Sequence, residues 1–253
     1  MVVTPYSNAS EGKKEQVEKM FNEIAFRYDL LNQLLSFGIH NLWRKKAINL
    51  LQEANIGPRP NEKPSVEPKP IILDVATGTA DFAIDAIALN PSKIIGIDIA
   101  NDMLAVGRKK IEEKNLSNTI ELLQANSENL PFADNYFDAA TVGFGVRNFE
   151  NLEKGLSEIC RTLKKGGTFA VLEFSIPEKF PMQQLYNFYL EQICPLLGRM
   201  ISKNPVAYIY LFKSVKSFPY GENFKSILLK CGFSKVQFYP RTFGIVTIYI
   251  AKK

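Results

Sequence analysis

The feature that most constrains this chain is a strand, a turn of small residues and a helix that follow one another between Ile71 and Ala88. Residues 71–75 (Ile-Ile-Leu-Asp-Val) are typical of a buried strand, residues 76–80 are small, and a helix is predicted to run on to Ala88. In α/β proteins this order builds a site for a nucleotide-like ligand at the carboxyl end of the first parallel strand. A structural turn without a ligand is the alternative.

The next apolar strand, residues 94–98, adds a carboxylate, because it ends at Asp98. A carboxylate there can accept hydrogen bonds from both vicinal hydroxyls of a ribose. The turn has one glycine, Gly78, and it has alanines at Ala76 and Ala80, where the dinucleotide fingerprint has glycines. These features fit a ligand with a ribose and no pyrophosphate, and S-adenosylmethionine (SAM) is the commonest such ligand.

Composition argues against several other classes of protein. The 253 residues are 46% hydrophobic and 23% charged, which suits one large α/β domain that folds without disulfides. The three cysteines are widely spaced and odd in number, and His40 is the single histidine, so neither a disulfide framework nor a metal site is predicted. No run reaches the roughly 18 apolar residues that span a bilayer, and the N-terminus does not resemble a signal peptide. We therefore expect a cytoplasmic protein.

The net charge of +5 is unevenly distributed. Residues 178–253 contain 11 Lys and Arg against 3 Glu and no Asp, a net charge of +8, so residues 1–177 carry −3. A basic and aromatic-rich C-terminal part could face an anionic membrane surface or nucleic acid, although a solvated face explains the charge equally well.

The patterning divides the chain into three segments. Residues 1–56 are predicted to form an N-terminal helical cap of the same domain, with helical spacing at 17–26 and 42–51 and a polar-rich stretch between them that faces a cavity. Residues 57–70 contain five prolines among charged residues, which indicates an exposed, dispensable loop. Residues 71–253 are predicted to form the core.

Within the core, strands and helices alternate, which predicts an open, doubly wound and largely parallel sheet. Beyond the first two strands, further strands are predicted at residues 120–124, 136–141 and 168–174, with a terminal pair at 236–239 and 245–251. Helices are predicted at residues 101–114, 152–163, 186–199 and 224–230, with Asn101 as the N-cap of the first.

Two separated patterns resemble the signatures of the ubiquinone/menaquinone biosynthesis C-methyltransferase family. One is the run 161–175 (Arg-Thr-Leu-Lys-Lys-Gly-Gly-Thr-Phe-Ala-Val-Leu-Glu-Phe-Ser), and the other is a set of spaced cap residues: Tyr28, Asp29, Asn32, Ser36, His40 and Trp43. Residues 130–132 and 143–148 also fit, and the likeness extends from about residue 17 to residue 253 apart from the proline-rich loop. The sequence departs from the family at four positions: Leu31, Thr162, Lys165 and Gly143.

The resemblance implies a class I SAM-dependent methyltransferase: a Rossmann-like α/β fold with a seven-stranded, mostly parallel sheet whose antiparallel last strand lies between the fifth and the sixth. It also implies C-methylation of a polyprenylated quinol in respiratory quinone biosynthesis, demethylmenaquinol to menaquinol. Methylation of 2-polyprenyl-6-methoxy-benzoquinol in ubiquinone biosynthesis and a non-catalytic SAM-binding scaffold are the alternatives. An RNA methyltransferase is disfavoured, because residues 143–148 lack the Asn/Asp-Pro-Pro-aromatic motif and a cysteine nucleophile.

The resemblance also assigns residues to the cofactor. The candidates lie in the turn, at the two strand ends and in the loop after the third strand: Asp74, Gly78, Thr79, Asp98, Asn126 and Ser127. Asp98 is expected on the ribose, and the pair after the third strand is expected to flank the adenine. Asp74 either orients the ammonium group of SAM or braces the turn.

A second set of residues is assigned to the chemistry. Arg147 is the first choice for stabilising the phenolate that activates a quinol ring carbon, since arginine is too weak an acid to act as a simple base. Asn148 is predicted to hold a quinol oxygen. Tyr28, Asp29 and His40 are candidates for proton transfer or substrate contact, although a lone histidine is more often structural.

The remaining predictions concern packing and partners. Trp43 and Phe37 are expected to pack rather than to stack on a ligand, and Glu173, at the end of a buried strand, is expected to have a structural partner. Residues 185–197 and 206–212 are rich in aromatic and aliphatic side chains and are expected to cover the polyprenyl quinol, or else to form an ordinary lid on the sheet. Peripheral contact with an anionic membrane surface, at the inner face of the membrane, and homodimer formation are further hypotheses; no nucleic acid partner is expected.

Overall fold

Seven strands form one sheet at the centre of the protein, in a computed structural model that describes residues 3–6, 9–58, 68–193 and 206–253. The strands are β1 (Ile71–Val75), β2 (Lys93–Asp98), β3 (Ile120–Gln124), β4 (Phe137–Gly143), β5 (Leu163–Phe174), β6 (Lys235–Arg241) and β7 (Val246–Lys252). Their order is β3-β2-β1-β4-β5-β7-β6. The pairs from β3 to β5 are parallel, and β7 is antiparallel to both of its neighbours. The predicted sheet, with its antiparallel last strand between the fifth and the sixth, is confirmed.

Helices cover both faces of the sheet. They are α1 (Lys13–Ser36), α2 (Ile39–Glu53), α3 (Asp81–Asp85), α4 (Asn101–Glu113), α5 (Leu152–Thr162), α6 (Met182–Phe188), α7 (Val206–Ser217) and α8 (Glu222–Lys230). A 3-10 turn at Ala86–Leu89 extends α3, another forms at Val146–Asn148, and a π turn at Tyr189–Ile193 extends α6. Within the described part of the chain, no helix has both the length and the apolar composition that crossing a membrane requires.

Both faces of the sheet are buried, because successive strand residues point in opposite directions. In β1, Ile72 packs into one hydrophobic core with residues of α2 and α3, whereas Leu73 packs into the opposite core with residues of α5 and α8. Both side chains are fully buried. A sheet that is covered on both faces needs strands that are apolar throughout rather than alternating. The run at residues 71–75 could be predicted for that reason.

The N-terminal cap consists of two helices that meet at a sharp break. Phe37 and Gly38 both have positive φ, 50° and 75°, which ends α1 and redirects the chain into α2. The apolar side of α1 packs against Ala207 and Tyr210 of α7, while α2 joins the hydrophobic core on one face of the sheet. The helices predicted at residues 17–26 and 42–51 are both present and are longer than predicted.

Several element ends differ from the sequence prediction, and two of them are instructive. The helix after the first turn ends at Asp85 and continues only as a 3-10 turn to Leu89. Strand β5 begins directly after α5 and not at residue 168, because Leu163 already pairs with Phe137 of β4 before the register shifts. Loops predicted from glycines and lysines can thus be parts of a strand when a neighbouring strand offers pairing.

The N-cap of α4 also differs from the prediction. Ala100 precedes the helix, and Asn101 is its first residue. The carboxylate of Asp98 accepts the hydrogen bond of the Ala100 amide at 2.9 Å. The acid at the end of β2 therefore takes part in starting α4, a role that the sequence prediction gave to Asn101.

Parts of several predictions lie outside the described residues. These parts are residues 1–2 and 7–8 of the cap, residues 59–67 of the proline-rich loop, residues 194–199 of the helix predicted at 186–199, and residues 194–197 of the apolar stretch predicted at 185–197. The described beginning of that helix, α6, starts at Met182, earlier than predicted.

A buried carboxyl group lies at the end of β1. Asp74 is fully buried and accepts hydrogen bonds from the hydroxyls of Thr77 and Thr141, each at 2.6 Å. Burial outweighs these two bonds and raises the pKa of Asp74 to about 6. Asp74 therefore braces the turn after β1, as one of its two predicted roles requires. The other role, orienting the ammonium group of SAM, stays a prediction.

The ionisation of Asp74 should be visible in how the free energy of unfolding changes with pH. A carboxyl whose pKa rises from 3.8 to about 6 on folding takes up protons, so its contribution to stability is full below about pH 4 and is lost as the pH rises toward 6. We expect Asp74→Asn, which cannot ionise, to gain roughly 3 kcal/mol relative to the wild type when the pH is raised from about 4 to about 7. Urea unfolding of both proteins across this range measures the change, and a difference that is independent of pH would contradict the prediction.

Candidate active site

Two adjoining cavities open at the carboxyl edge of the sheet, where β1, β2 and β4 end. The smaller is a cleft of about 70 Å³, called the narrow cleft below, and the larger is a mostly apolar cavity of about 370 Å³, called the wide cavity. Six residues line both spaces: Phe21, Tyr28, Ala76, Gly78, Gly143 and Phe144. The two spaces therefore adjoin one another and share one wall.

The narrow cleft is built around Asp98 at the end of β2. One oxygen of its carboxylate accepts the amide of Gly78 and the other accepts the amide of Ala100, both at 2.9 Å. Burial raises the pKa of Asp98, and the two amides oppose that rise. Each oxygen keeps a second lone pair, so the carboxylate can still accept two hydroxyl groups of a ribose.

Polar side chains complete the narrow cleft. Asn126 and Ser127, in the loop after β3, line it together with Asn148 of the turn after β4. Oδ1 of Asn148 is buried and has no hydrogen-bond partner among the described residues, and its Nδ2 lies 3.4 Å from the carbonyl oxygen of Phe144. An unpaired buried acceptor is costly unless a ligand satisfies it. The structure thus places Asn148, which was predicted to hold a quinol oxygen, on the narrow cleft.

The wide cavity lies between the cap and the helices that follow β5. Residues of α1 and α2 form one side, residues of α6 and α7 form the other, and the turn after β1 contributes Thr77, Gly78 and Thr79. Both stretches that were predicted to cover an apolar substrate contribute side chains, among them Leu185 and Leu211. Concave, mostly apolar walls with a few polar groups are typical of a small-molecule site.

Tyr28 stands in the wall between the two spaces. Its ring packs edge-on against Phe21, with 6.0 Å between the ring centroids. Burial raises the pKa of Tyr28, so the phenol is protonated at neutral pH. A protonated phenol donates a hydrogen bond and is a poor base. Of the two roles predicted for Tyr28, its position favours substrate contact over proton removal.

Arg147, from the turn after β4, lines the wide cavity and is paired with Glu173. Its Nη1 donates to Oε1 of Glu173 at 2.7 Å and also to the carbonyl oxygen of Phe144. Glu173 is fully buried and accepts the backbone amides of Phe174, at 2.9 Å, and of Arg147, at 3.4 Å. The structural partner predicted for Glu173 is therefore Arg147. Nε of Arg147 is buried and has no acceptor within the described part of the chain.

His40 lies on the wide cavity, near the break between α1 and α2. Its Nδ1 is 2.5 Å from Oγ of Ser36, whose hydroxyl also lies 2.6 Å from the carbonyl oxygen of Asn32. A carbonyl can only accept, so the proton of Ser36 serves Asn32 and Nδ1 of His40 donates to Ser36. Burial, followed by the charge of Arg44, lowers the pKa of His40. The imidazole is therefore neutral near pH 7, and its Nε2 is the ring atom that can accept a proton.

Thr79 lines the wide cavity and not the narrow cleft. Its hydroxyl donates to Oδ1 of Asp29 at 2.6 Å, and Nζ of Lys110 lies 3.0 Å from Oδ2 of the same carboxylate. Lys110 also pairs with Asp81 at the start of α3. These hydrogen bonds and ion pairs connect α1 to α3 and α4. Thr79 and Asp29 therefore help to hold the cap against the rest of the domain. Lys110 carried no sequence signal, because it lies 81 residues from Asp29.

The two aromatic residues that were expected to pack behave differently. Trp43 is buried, donates from Nε1 to Oγ1 of Thr242 at 2.8 Å and packs edge-on against Phe144. Phe37 is 79% exposed at the break between the cap helices, so the prediction that it packs is wrong. Its backbone is left-handed, and its largely exposed side chain lines the wide cavity, which the sequence pattern could not reveal.

Sequence reasoning also missed one polar group of the site. Tyr210 of α7 places a buried hydroxyl in the wall of the wide cavity, but in the sequence it is one more aromatic residue in an apolar stretch. No group of acidic, histidine and cysteine side chains that could hold a metal ion occurs within the described ranges.

Relatives of this chain are found over nearly its whole length. The sequence model of the ubiE/COQ5 methyltransferase family matches residues 9–253. A demethylmenaquinone methyltransferase of Bacteroides fragilis is 48% identical over 99% of this chain and 97% of its own length, and one of Porphyromonas gingivalis is 39% identical over 99% and 98%. A ubiquinone/menaquinone biosynthesis C-methyltransferase of Geotalea daltonii is 40% identical over 95% and 97%.

Solved structures share the fold at much lower identity. A SAM-dependent methyltransferase of Thermotoga maritima has a TM-score of 0.60 at 20% identity, over 93% of this chain and 99% of that chain. The [4+2]-cyclase SpnF has a TM-score of 0.58 at 16% identity, over 97% of both chains. Likeness at this level shows the fold alone, and it confirms the predicted class I methyltransferase fold. The match over residues 9–253 and the relatives at up to 48% identity show more: this chain belongs to the ubiE/COQ5 methyltransferase family.

Proposed function

We propose that this chain transfers the methyl group of SAM to a ring carbon of demethylmenaquinol and so forms menaquinol. The observation that carries the proposal is that the narrow cleft and the wide cavity share a wall. Asp98 lines the narrow cleft, and Arg147 lines the wide cavity. An acid suited to a ribose faces one space, and apolar walls suited to a polyprenylated ring enclose the other. The relatives at 48% and 39% identity are demethylmenaquinone methyltransferases, which favours the naphthoquinol over the benzoquinol.

The residues of the narrow cleft suit SAM. The free lone pairs of Asp98 fit the ribose hydroxyls, Asn126 and Ser127 can flank the adenine, and the unpaired Oδ1 of Asn148 offers a buried acceptor. The cleft of about 70 Å³ is smaller than the roughly 300 Å³ at the low end of ligand pockets. We therefore expect α1, which lines the cleft through Phe21, to move outward when SAM binds.

The chemistry requires a nucleophilic ring carbon. When bound, SAM supplies a methyl group whose bond to sulfur breaks with the electron pair staying on sulfur. A quinol hydroxyl that gives its proton to water becomes a phenolate, and the adjacent ring carbon then forms the new carbon–carbon bond and loses its own proton to restore aromaticity. The charge of Arg147 stabilises the phenolate, which contributes roughly 3 kcal/mol, or about a hundredfold in rate.

Methyl transfer from labelled SAM to short-chain quinols tests the reaction and the role of Arg147. We expect product from demethylmenaquinol kept under reducing conditions, and little from the matching methoxy-benzoquinol. Arg147→Ala alone leaves Glu173 buried without its partner and is expected to cost about 3–5 kcal/mol of stability. The double variant Arg147→Ala, Glu173→Gln removes both charges, so we expect it to fold and to lose at least about a hundredfold in kcat.

Three comparisons make this experiment decisive. Glu173→Gln alone, which keeps the guanidinium, is the matched control and should retain more activity than the double variant. Product from the benzoquinol alone would move the function to ubiquinone biosynthesis. SAM binding without turnover of either quinol would support the non-catalytic scaffold and contradict the proposed reaction.

The cofactor assignment is tested by calorimetry with SAM. Asp98→Ala removes the acceptors for two ribose hydroxyls, and hydrogen bonds to a charged group are worth about 1.5–3 kcal/mol each, so we expect the affinity to fall by at least about a hundredfold. Asp102→Ala removes an exposed acid four residues later in α4 and is the control, with unchanged affinity expected. Because Asp98 also holds two amides, melting curves of the variant must show that it is folded. A folded Asp98→Ala protein with wild-type affinity would contradict the assignment.

We also propose that the protein docks on an anionic membrane surface beside the wide cavity. Large apolar side chains are exposed along one side of α1 and on α6: Phe26, Leu30, Leu34, Leu185 and Phe188. Spacing of four residues puts the first three on one face of α1, and the C-terminal part is basic. Homodimer formation stays a prediction, which sedimentation of the purified chain tests.

Flotation with lipid vesicles tests the docking. We expect the wild type to float with vesicles that contain anionic lipid and Phe26→Glu to bind about tenfold more weakly, because Phe26 is 88% exposed and its burial in lipid is worth at least about 1.5 kcal/mol. Tyr136→Glu is the matched control, since Tyr136 is half-exposed at the opposite, amino-terminal edge of the sheet. Flotation that does not depend on anionic lipid would contradict the proposal.

A further inference from the structure

The wide cavity contains a buried hydroxyl group that the proposed reaction does not yet use. Tyr210 of α7 lines this cavity and is 3% exposed. Its hydroxyl is fully buried and has no hydrogen-bond partner among the residues that the structure describes. A buried donor is costly when it is unpaired, so its retention calls for an explanation.

The surroundings of Tyr210 offer it little that is polar. Its ring packs into an apolar cluster with Met20, Ile24 and Leu31 of α1 and with Ala207 of its own helix. Tyr210 also lines the wide cavity, so a ligand in that cavity can offer its hydroxyl an acceptor.

Tyr210 and Arg147 lie within electrostatic range of one another. The burial of Tyr210 raises its pKa to about 12, the positive charge of Arg147 opposes that rise, and Glu173 adds to it. The phenol is thus a protonated donor at neutral pH. The helix α7 packs against the 3-10 turn that carries Arg147, and Nε of Arg147 is the second buried donor of this cavity without a partner in the described part of the chain.

We propose that the hydroxyl of Tyr210 and Nε–H of Arg147 together hold one ring oxygen of the acceptor as its anion, which makes Tyr210 a catalytic residue. The inference rests on the proposed function and deepens it, because it limits the acceptor to molecules with an ionisable aromatic hydroxyl. An anionic oxygen accepts two short, charge-assisted hydrogen bonds. The two donors lower the pKa of the bound hydroxyl and leave its electron density on the ring carbon that takes the methyl group.

The first test measures binding without turnover. The probe is 4-nitro-1-naphthol, whose anion absorbs visible light, titrated against pH on the enzyme saturated with S-adenosylhomocysteine. We expect the wild type to lower the pKa of the bound naphthol and Tyr210→Phe to restore it upward by roughly 1–2 units, because the variant removes one hydrogen bond to the anion. The ring remains and an unpaired hydroxyl is lost, so Tyr210→Phe should melt at or above the wild-type temperature.

The second test measures methyl transfer to short-chain demethylmenaquinol. We expect Tyr210→Phe to lower kcat about 10- to 100-fold, with an unchanged affinity for SAM. Removal of a donor raises the pKa of the bound quinol, so the rise of kcat with pH should move to higher pH. A residue that merely packs against the substrate would change KM and leave this pH profile in place.

Tyr249→Phe is the matched control. Tyr249 is also buried, burial likewise raises its pKa to about 12, and its hydroxyl accepts the amide of Gly221 at 2.7 Å away from both cavities. Its loss should lower the melting temperature and leave the naphthol titration and the pH profile unchanged. Equal naphthol pKa values on wild type and Tyr210→Phe would overturn the inference, even if the enzyme methylates its quinol. A naphthol shift that depends on Tyr210 in a protein that methylates neither quinol would instead support the hydroxyl site and overturn the proposed function.

Discussion

The buried ion pair between Arg147 and Glu173 is the interaction on which the geometry of the wide cavity depends. A carboxylate with no exposed surface, at the end of β5, would be neutral without a cation, and a guanidinium at the end of β4 would turn toward water without a fixed acceptor. The backbone amides of Phe174 and Arg147 also donate to Glu173, one to each carboxylate oxygen. One oriented charge therefore lies inside an apolar cavity, with its Nε still free to donate to a ligand. The parallel register of β4 and β5 brings the two strand ends, and so the two residues, together.

The cap closes both cavities by means of charges at its two ends. At the start of α1, Nζ of Lys13 donates to the carbonyl oxygens of Arg147 and Phe149, at 3.0 and 2.7 Å. Burial, helped by the charge of Arg147, lowers the pKa of Lys13 to about 8. Toward the other end, Asp29 is held by Thr79 and Lys110. The same helix thus bears on the narrow cleft and on the wide cavity, which suits the proposed reaction, since it needs both partners enclosed together and water kept out.

The sequence predicted strand positions and strand-end residues well, and it predicted the directions of side chains less well. β1 and β3 were predicted to the residue. The central strand β1 is buried on both faces and is apolar apart from Asp74, whereas the edge strand β3 carries buried Ile120 and Leu122 between more exposed residues. Asp98, Asn126 and Ser127 lie at strand ends and in adjacent loops, where topology alone brings them to one edge, and the structure places all three on the narrow cleft. Side-chain direction is harder to predict: Thr79 lines the wide cavity and Asn148 lines the narrow cleft, and their predicted contacts with SAM and with a quinol oxygen stay predictions.

The sequence by itself determined the class of fold, the order of its elements, the turn at Gly78 with its acid at Asp98, and the family to which the chain belongs. These properties depend on local composition, spacing and turn chemistry, all of which are written along the chain. The choice of Arg147 as the partner of Glu173, the unpaired hydroxyl of Tyr210 and the exposure of Phe37 were decided only by the tertiary structure. The first two depend on which distant groups meet where water is excluded, and the third depends on how the chain turns between the two cap helices. None of these is encoded in a short stretch of sequence.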